Sequence, residues 1–425
     1  MMKVLSGLTT RGRCLMAAGL AAGVCSLVLN ERDLLRIAVF VVALPVLAAI
    51  LTARSRVGLS ATRTVVPDRV PVGSTAEVRI DIRSDGRLPT GGLLLEDGVP
   101  YALGARPRFV LERLPRHHQV PLRYQLRPVL RGVQHVGPLL GRITDPFGMA
   151  EFDRELAGNT RLVVVPRVHQ LTGLPSGAGL GAGEEGAVRL RSGQGEDDAV
   201  VRQYRHGDDL RKVHWRSSAR RDELMVRLEE KPWRGGTTVL LDHRSAAHRG
   251  TGPTSSLEWA ISLTASVCLH LHRQGHQVRL VTEDGKVLAG GYADAGHSDV
   301  VVLDALASLH SSHQRDLVCG GDPGNGQELI AILGAANPVA ATELMRHRPR
   351  VTRSLAVLLD VTTWAPGADT TTATELADAT RLLRGSGWGV VIAKPDMPMG
   401  VVWSELCRAG TRGGTLTVGE GGVSS

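Results

Sequence analysis

The stretch Thr237-Thr238-Val239-Leu240-Leu241-Asp242 is largely apolar and ends in a carboxylate. A second stretch of the same kind, Leu355-Ala356-Val357-Leu358-Leu359-Asp360, follows later in the chain. Apolar runs of this length, bounded by polar residues, are typical of strands that are buried on both faces. Together they favour a parallel sheet as the centre of one domain.

The segments around these two runs alternate between helical and strand patterns. Periodicity predicts helices from Ser255 to Arg273, around Ser298 to His310 and from Thr372 to Leu383, and strands from His276 to Thr282 and from Trp388 to Ala393. We therefore expect residues 236–410 to form an α/β domain with a mostly parallel sheet and helices on both faces. Residues 411–425 are predicted to be a flexible tail.

Residues 167–235 are predicted to combine a Gly-rich linker with a charged segment. Eight glycines lie between Leu171 and Gly195, a composition that favours a flexible chain. The match of residues 181–186 to G-x-G-x-x-G is weak, because no strand leads into it and its two glutamates would repel a pyrophosphate. No G-x-x-x-x-G-K-[ST] pattern occurs, so we expect no nucleotide hydrolysis by this chain and no cofactor.

The charged segment from Asp197 to Lys231 carries nine cations and eight anions. Such a balance is typical of an ion-pair network or a protein-docking surface, since a phosphate-binding patch needs one sign of charge to prevail. Candidate residues for a docking surface are Asp208, Asp209, Arg211, Trp215, Arg216, Ser218 and Arg220.

An alternative for the same segment is a divalent-metal-dependent hydrolase. Its candidate ligands or acid/base groups are His206, Asp208, Asp209 and His214. The two histidines are eight residues apart, whereas helical metal-binding pairs typically lie at i and i+4. The many neighbouring arginines favour salt bridges for these carboxylates.

Residues 57–166 show a different pattern, an alternation with period two. Val78-Arg79-Ile80-Asp81-Ile82 is the clearest example, and similar runs recur between turns rich in Pro and Gly. Many short strands of this kind predict an antiparallel β-sandwich domain.

Residues 1–56 contain two apolar runs, from Cys14 to Leu29 and from Ile37 to Thr52. Each run would span roughly 22–24 Å as a helix, slightly less than the hydrocarbon core of a bilayer. A transmembrane helical hairpin accounts for two runs in close succession better than a cleaved signal peptide or two buried core helices. Cations flank both outer ends, at Arg11, Arg13 and Arg54 among others, so we expect a multi-pass protein of the cell membrane with its soluble part in the cytoplasm.

The composition further limits the class of protein to which this chain can belong. The chain has 425 residues, 43% of them hydrophobic, which is enough to form cores in two domains. Its net charge of +8 comes from 45 Arg and five Lys that are scattered among 42 acids, and it has only 14 aromatic residues. Nucleic-acid binding is therefore disfavoured, although it remains an alternative that predicts salt-dependent retention on DNA.

The run YRHGDDLRKVHWRSSARRDELMVR at residues 204–227 closely resembles the signature of the domain of unknown function 58 family. The segments RGVQHVGPLLGRITDPFGM at 131–149 and VVVPRVHQL at 163–171 resemble those that precede this signature. The resemblance implies a membrane-anchored protein whose C-terminal part is similar to von Willebrand factor A domains. It also implies partners of two kinds, a MoxR-type AAA+ ATPase and a transglutaminase-like membrane protein.

The resemblance raises the question of a metal at the end of the first strand of the α/β domain. Von Willebrand-type domains often hold a divalent cation there through D-x-S-x-S, where this chain has Asp242-His243-Arg244-Ser245-Ala246. Arg244 and Ala246 occupy both hydroxyl positions, and a guanidinium has the wrong sign of charge for a cation site. Asp242 and Asp360 at one sheet edge could still hold a cation, or they could cap helices or bind Arg244.

From these observations we expect a non-catalytic scaffold that works with an AAA+ ATPase in remodelling an envelope or metalloprotein client.

Overall fold

The computed structural model describes residues 7–54, 59–84, 93–111, 119–145, 147–175, 201–203, 218, 225–227, 236–290, 298–319, 328–346, 354–365 and 370–412. The chain divides into two compact units, Met1–Val165 and Pro166–Ser425. We call them the N-terminal unit and the C-terminal unit.

Two long helices begin the N-terminal unit, α1 (Thr10–Leu29) and α2 (Arg32–Arg54). Thr9 caps α1, because its side-chain oxygen accepts a hydrogen bond from the backbone N–H of Gly12 at 3.3 Å. Asn30 ends α1 in the left-handed conformation, with φ of 51°, and α2 starts two residues later. Both helices are long and apolar enough to cross a membrane, so the predicted pair of N-terminal apolar helices is present.

Short strands make up the rest of the described N-terminal unit. They are β1 (Leu59–Val66), β2 (Arg69–Pro71), β3 (Ala76–Ser84), β4 (Leu93–Asp97), β5 (Arg108–Leu111), β6 (Gln119–Leu126), β7 (Gly132–Val136), β8 (Leu139–Thr144), β9 (Glu151–Ala157) and β10 (Thr160–Val165). They form three sheets with the orders β1-β3-β6, β2-β10-β7 and β5-β4-β8-β9. All neighbouring strands are antiparallel except β2 and β10, which are parallel.

One hydrophobic core joins these three sheets. On β3 the side chains of Val78, Ile80 and Ile82 are completely buried, whereas Arg79 lies on the opposite, exposed face. This arrangement follows directly from the period of two in the sequence. The other two sheets contribute residues such as Val70 and Leu95 to the same core.

The C-terminal unit contains a six-stranded sheet with helices. Its elements are β11 (Val201–Gln203), β12 (Met225–Arg227), β13 (Gly236–Leu241), α3 (Ser256–Arg273), β14 (Gln277–Thr282), β15 (Val287–Ala289), α4 (Ser298–Ser308), β16 (Glu328–Leu333), α5 (Pro338–Arg346), β17 (Ser354–Leu359), α6 (Thr370–Gly385), β18 (Gly389–Ala393) and α7 (Met399–Arg412). The strand order is β15-β14-β13-β16-β17-β18, with β15 antiparallel to β14 and all other neighbours parallel.

Helices cover both faces of this sheet. On β17, Leu355 and Val357 contact a core that also contains residues of α3, α4 and α7, whereas Ala356 and Leu358 contact a core with α5 and α6. The strands β13, β16 and β17 have six residues each, and all of these residues are buried. Strands that are covered on both faces are apolar at most positions, which explains the runs Val239–Leu241 and Leu355–Leu359 in the sequence.

The structure adds five elements to the C-terminal unit that periodicity did not predict, namely β11, β15, β16, α5 and α7. β11 and β15 are only three residues long and α5 has nine residues, so each of these three offers a weak periodic signal, whereas β16 with six residues and α7 with 14 are long enough to carry one. These elements are fixed by pairing and packing with the rest of the unit.

Part of the predicted linker is packed against the C-terminal unit. The backbone carbonyl of Gly173 accepts hydrogen bonds from Trp403 Nε1 at 3.1 Å and from His270 Nε2 at 2.7 Å. The backbone N–H of His169 donates to Ser266 Oγ at 2.9 Å, and Leu171 is buried in the core. Residues 167–175 therefore belong to this unit, and residues 176–200 of the predicted linker lie outside the described residues, as does most of the predicted tail.

Candidate functional site

The carboxyl edge of the six-stranded sheet is the natural place to look for a ligand site. After β13 the chain goes first to β14 on one side, and later to β16 on the other side. In open α/β sheets, ligands bind outside the carboxyl ends of the strands at the point where the order reverses in this way. Here that point lies between β13 and β16. Asp242 follows directly after β13, and Gly334 follows directly after β16.

Arg244 fills this crevice with its own guanidinium. Its Nε donates to Asp242 Oδ1 at 2.9 Å, and its Nη2 donates to Asp242 Oδ2 at 2.8 Å. The side chain of Asp242 has no exposed surface, and that of Arg244 is 5% exposed. Burial acts to lower the pKa of Arg244, but the hydrogen bonds and charge of Asp242 raise it overall, so the guanidinium stays charged.

The surrounding backbone holds this ion pair in place. The third nitrogen of Arg244, Nη1, donates to the carbonyl of Arg315 at 2.9 Å, and residue 244 forms a parallel bridge with Ser312. The backbone N–H of Gly334 donates to Asp242 Oδ2 at 3.3 Å. A Cβ on Gly334 would lie 2.2 Å from the carbonyl oxygen of Ala247, so only glycine allows this close approach.

A second polar pair lies beside the first. Glu283, directly after β14, is completely buried, and its Oε2 lies 2.5 Å from His243 Nδ1. The backbone N–H of His243 also donates to this oxygen, at 3.1 Å. The other oxygen, Oε1, is buried and has no hydrogen-bond partner within the described parts of the chain.

His248 is hydrogen-bonded to the backbone of Asp242. Its Nε2 donates to the carbonyl of Asp242 at 2.8 Å, which leaves Nδ1 to accept from the hydroxyl of Ser256 at 3.0 Å. Burial lowers the pKa of His248, so the ring is neutral. This neutral tautomer links the end of β13 to the first turn of α3.

These residues do not fit a divalent cation. Both oxygens of Asp242 are engaged by Arg244, whose positive charge lies where a cation would need further oxygen ligands. Asp360 ends β17, which is separated from β13 by β16, and its Oδ1 accepts a hydrogen bond from Thr362 at 2.5 Å. In the described part of the chain, no group of three or more His, Cys, Asp or Glu residues could hold a metal ion. Of the alternatives for Asp242, the structure thus shows the ion pair with Arg244.

Most predicted docking residues lie outside the described residues. These are Asp208, Asp209, Arg211, Trp215, Arg216 and Arg220, together with His206 and His214 of the alternative hydrolase site. Ser218 is described, and it is helical and partly buried. The flanking strands β11 and β12 pair antiparallel, with Gln203 opposite Met225. This pair is a two-stranded sheet separate from the six-stranded one.

A groove of about 590 Å³ lies beside the amino end of β18. Arg384, Trp388, Glu405 and Arg408 are among its lining residues. The indole N–H of Trp388 is buried and has no hydrogen-bond partner among the described residues. The groove brings together α6, β18 and α7, so no local sequence motif could have revealed it.

Known proteins resemble this chain over limited regions. Residues 200–319 match the family described as "Protein of unknown function DUF58". A stretch of 222 residues is 24% identical to "Uncharacterized protein YeaD" of Bacillus subtilis (strain 168), covering 51% of this chain and 53% of that protein. The chain therefore spans about half the length of the curated relative that it matches.

Similarity to solved structures is low. The CARDB domain of the PF1109 protein from Pyrococcus furiosus matches 25% of this chain and 87% of its own length, with 16% identity and a TM-score of 0.20. A cohesin module of a family 33 glycoside hydrolase from Clostridium perfringens matches 25% of this chain and 96% of its own length, with 14% identity and a TM-score of 0.19.

Proposed function

We propose that this chain is a membrane-anchored scaffold that docks other proteins and catalyses no reaction itself. The observation that carries this proposal is the Asp242–Arg244 ion pair, which fills the crevice where α/β sheets of this kind usually bind ligands. Because this buried charge pair occupies the usual ligand position, we expect partner proteins to bind at the outer surfaces of the unit.

Exposed apolar surface supports the membrane anchor. Large side chains on both N-terminal helices are exposed, for example Val28 at 80% and Phe40 at 67%. Core helices of a soluble protein would bury such residues, whereas transmembrane helices present them to lipid. Cations at both outer ends of the hairpin support a cytoplasmic location of the chain that follows the hairpin.

We further propose that residues 57–166 form a β-sandwich and that the α/β domain is similar to von Willebrand factor A domains. The single core shared by the sheets of the N-terminal unit supports the first assignment. The strand order, together with Asp242 at the position that begins the metal motif of such domains, supports the second. Arg244 would then replace the cation in this chain.

A MoxR-type AAA+ ATPase is the proposed main partner, with a transglutaminase-like membrane protein as a second one. The sequence has no P-loop, so a partner would have to supply nucleotide hydrolysis for remodelling an envelope or metalloprotein client. The charge-balanced segment around Asp208 and Asp209 is the proposed docking surface. The groove beside β18 is a second candidate, since its two arginines and one glutamate suit a polypeptide better than a polyanion.

Charge reversal tests the docking surface. In the full chain purified from membranes, the double variant Asp208→Lys/Asp209→Lys should lose capture of the ATPase while membrane insertion is unchanged. Asp378→Lys, an acid on the surface of α6, is the matched control and should keep capture. Unchanged capture by the double variant would remove the docking role.

The divalent-metal-dependent hydrolase stays the alternative. Metal analysis of the purified chain separates the two functions, because a hydrolase of this kind would bind metal stoichiometrically and lose it in His206→Ala. Turnover of a substrate by the chain alone would contradict the scaffold proposal.

A further inference from the structure

A tight loop connects β8 to β9 in the N-terminal unit, and Asp145 organises it. One carboxylate oxygen of Asp145 accepts hydrogen bonds from the backbone N–H groups of Met149 at 2.6 Å and Ala150 at 2.9 Å. The other accepts from the N–H of Phe147 at 3.3 Å, and Gly148 takes a positive φ of 70°. These bonds fix the loop, and they fix the direction in which Phe147 leaves it.

The same loop is attached to the first turn of α1. The backbone N–H of Thr9 donates to the carbonyl of Met149 at 2.9 Å, and the Thr9 hydroxyl donates to the carbonyl of Gly148 at 2.7 Å. A Cβ on Gly12 would lie 2.3 Å from the Met149 carbonyl oxygen, so the helix and the loop are in direct backbone contact. The loop therefore lies level with the start of α1.

Phe147 is 68% exposed at this position. Arg11 and Arg13 are exposed on the same first turn of α1, and the helix becomes apolar beyond them. Cations followed by an apolar helix mark the level of the lipid headgroups, and aromatic side chains are enriched at that level. A large apolar ring that is exposed at this level would meet the boundary between headgroups and acyl chains if the helices span a bilayer.

Tyr101 provides the contrast within the same unit. Tyr101 is 93% exposed and follows the end of β4. The last residue of β4, Asp97, pairs with Leu139, so this end of β4 lies beside the start of β8. Phe147 follows the other end of β8. The strand thus separates two exposed aromatic residues, and of the two it is Phe147 whose loop is hydrogen-bonded to Thr9, the cap of α1.

We propose that Phe147 inserts into the interface of the bilayer in which α1 and α2 are anchored, and that it holds the N-terminal unit against the membrane surface. This inference rests on the membrane anchor proposed above. The partner is the lipid bilayer, and no second protein is needed to cover the ring.

Tryptophan fluorescence in bilayers tests this inference. The full chain carrying Phe147→Trp is reconstituted into phosphatidylcholine bilayers, with or without bromine on the upper part of the acyl chains. The emission that the variant adds to that of the parent chain should be blue-shifted, and brominated lipid should quench it. Tyr101→Trp is the matched control, and its added emission should be neither shifted nor quenched.

Each other outcome contradicts the inference in a different way. Added emission at position 147 that resembles the control, in protein that resists carbonate extraction, would overturn the Phe147 contact but leave the anchor. A blue shift without quenching would mean that another protein surface covers the ring, for example a second copy of the chain. Release of the parent protein by carbonate would overturn the anchor itself, and with it this inference.

Discussion

Among the described residues, each unit has a nearly fully buried pair of an arginine and an aspartate, and the two pairs differ in what they connect. In the N-terminal unit, Arg63 on β1 binds Asp97 on β4, with side-chain exposures of 1% and 0%. In the C-terminal unit, Asp242 and Arg244 are two residues apart, with exposures of 0% and 5%. The chemistry of the two pairs is the same.

The pair in the N-terminal unit ties three sheets together. Besides Asp97, Arg63 donates through Nη1 to the carbonyls of Val136, on β7, and Gly158. The hydroxyl of Tyr124, on β6, donates to Asp97 Oδ2 at 2.6 Å, and burial together with this carboxylate raises the pKa of Tyr124. Removing Arg63 would leave the buried charge of Asp97 uncompensated and would take a hydrogen-bond donor from two backbone carbonyls.

The pair in the C-terminal unit is local and fills a crevice. Apart from Asp242, Arg244 donates only to the carbonyl of Arg315 among the hydrogen bonds of its side chain in the described structure. The comparison shows that one chemical pair can hold sheets together in one place and replace a ligand in another. Three experiments probe this difference.

The largest effect is expected for Arg63→Ala. Breaking a buried ion pair by removing one partner costs about 3–5 kcal/mol, because the remaining charge is uncompensated. The free energy of unfolding of the N-terminal unit, measured from hydrogen exchange of the β3 amides, should fall by this amount. Arg108→Ala removes the exposed partner of Glu96, next to Asp97, and should cost less than about 1 kcal/mol. Equal losses of unfolding free energy in the two variants would mean that the buried Arg63–Asp97 pair stabilises the unit no more than the exposed Arg108–Glu96 pair does.

Arg244→Ser should have a smaller effect, about 3 kcal/mol, because fewer groups lose a partner. All six tryptophans lie in the C-terminal unit, so urea unfolding followed by tryptophan fluorescence reports on this unit. The variant leaves Asp242 charged beside a space that a cation could occupy. Mg²⁺ at ten times its dissociation constant should restore roughly 1.4 kcal/mol to the variant.

The wild-type chain and a double variant are the controls for this cation effect. Neither Mg²⁺ nor EDTA should change the unfolding of the wild type, since Arg244 already neutralises Asp242. Arg244→Ser/Asp242→Ser should lose the response to Mg²⁺. A wild-type chain that is destabilised by EDTA would contradict the replacement of a cation by Arg244.

The smallest effect concerns pH. Burial lowers the pKa values of His169, His248 and His276, which all lie in the C-terminal unit. Below the ordinary histidine pKa of about 6.5 the unfolded chain binds more protons than the folded one, so stability falls as the pH falls. Each histidine contributes less than about 1.4 kcal/mol per pH unit.

His248→Gln should therefore flatten the fall in urea stability of the C-terminal unit between pH 7.5 and 5.5. His310→Gln, a change at an exposed histidine, is the control and should leave the slope unchanged. A slope that His248→Gln does not change would mean that this histidine titrates in the folded state as it does in the unfolded chain.

Local patterns predicted several elements in which burial repeats regularly. The alternation at Val78, Ile80 and Ile82 predicted one buried face, and the apolar run at 237–241 predicted a strand covered on both faces. The ion pair of Asp242 with Arg244 was among the predicted alternatives because two residues in one short turn are always close. These features depend on neighbours in sequence, so the amino-acid sequence by itself determined them.

The remaining contacts join parts of the chain that no local pattern relates. Arg63 binds Asp97 across 34 positions, and Trp403 donates to the carbonyl of Gly173 across 230. The loop around Gly148 is bound by Thr9 across 139 positions. Only the tertiary structure decided these contacts, because the local sequence around a polar residue does not indicate a distant partner. The packing of the sheets brings the two residues together and removes water from both.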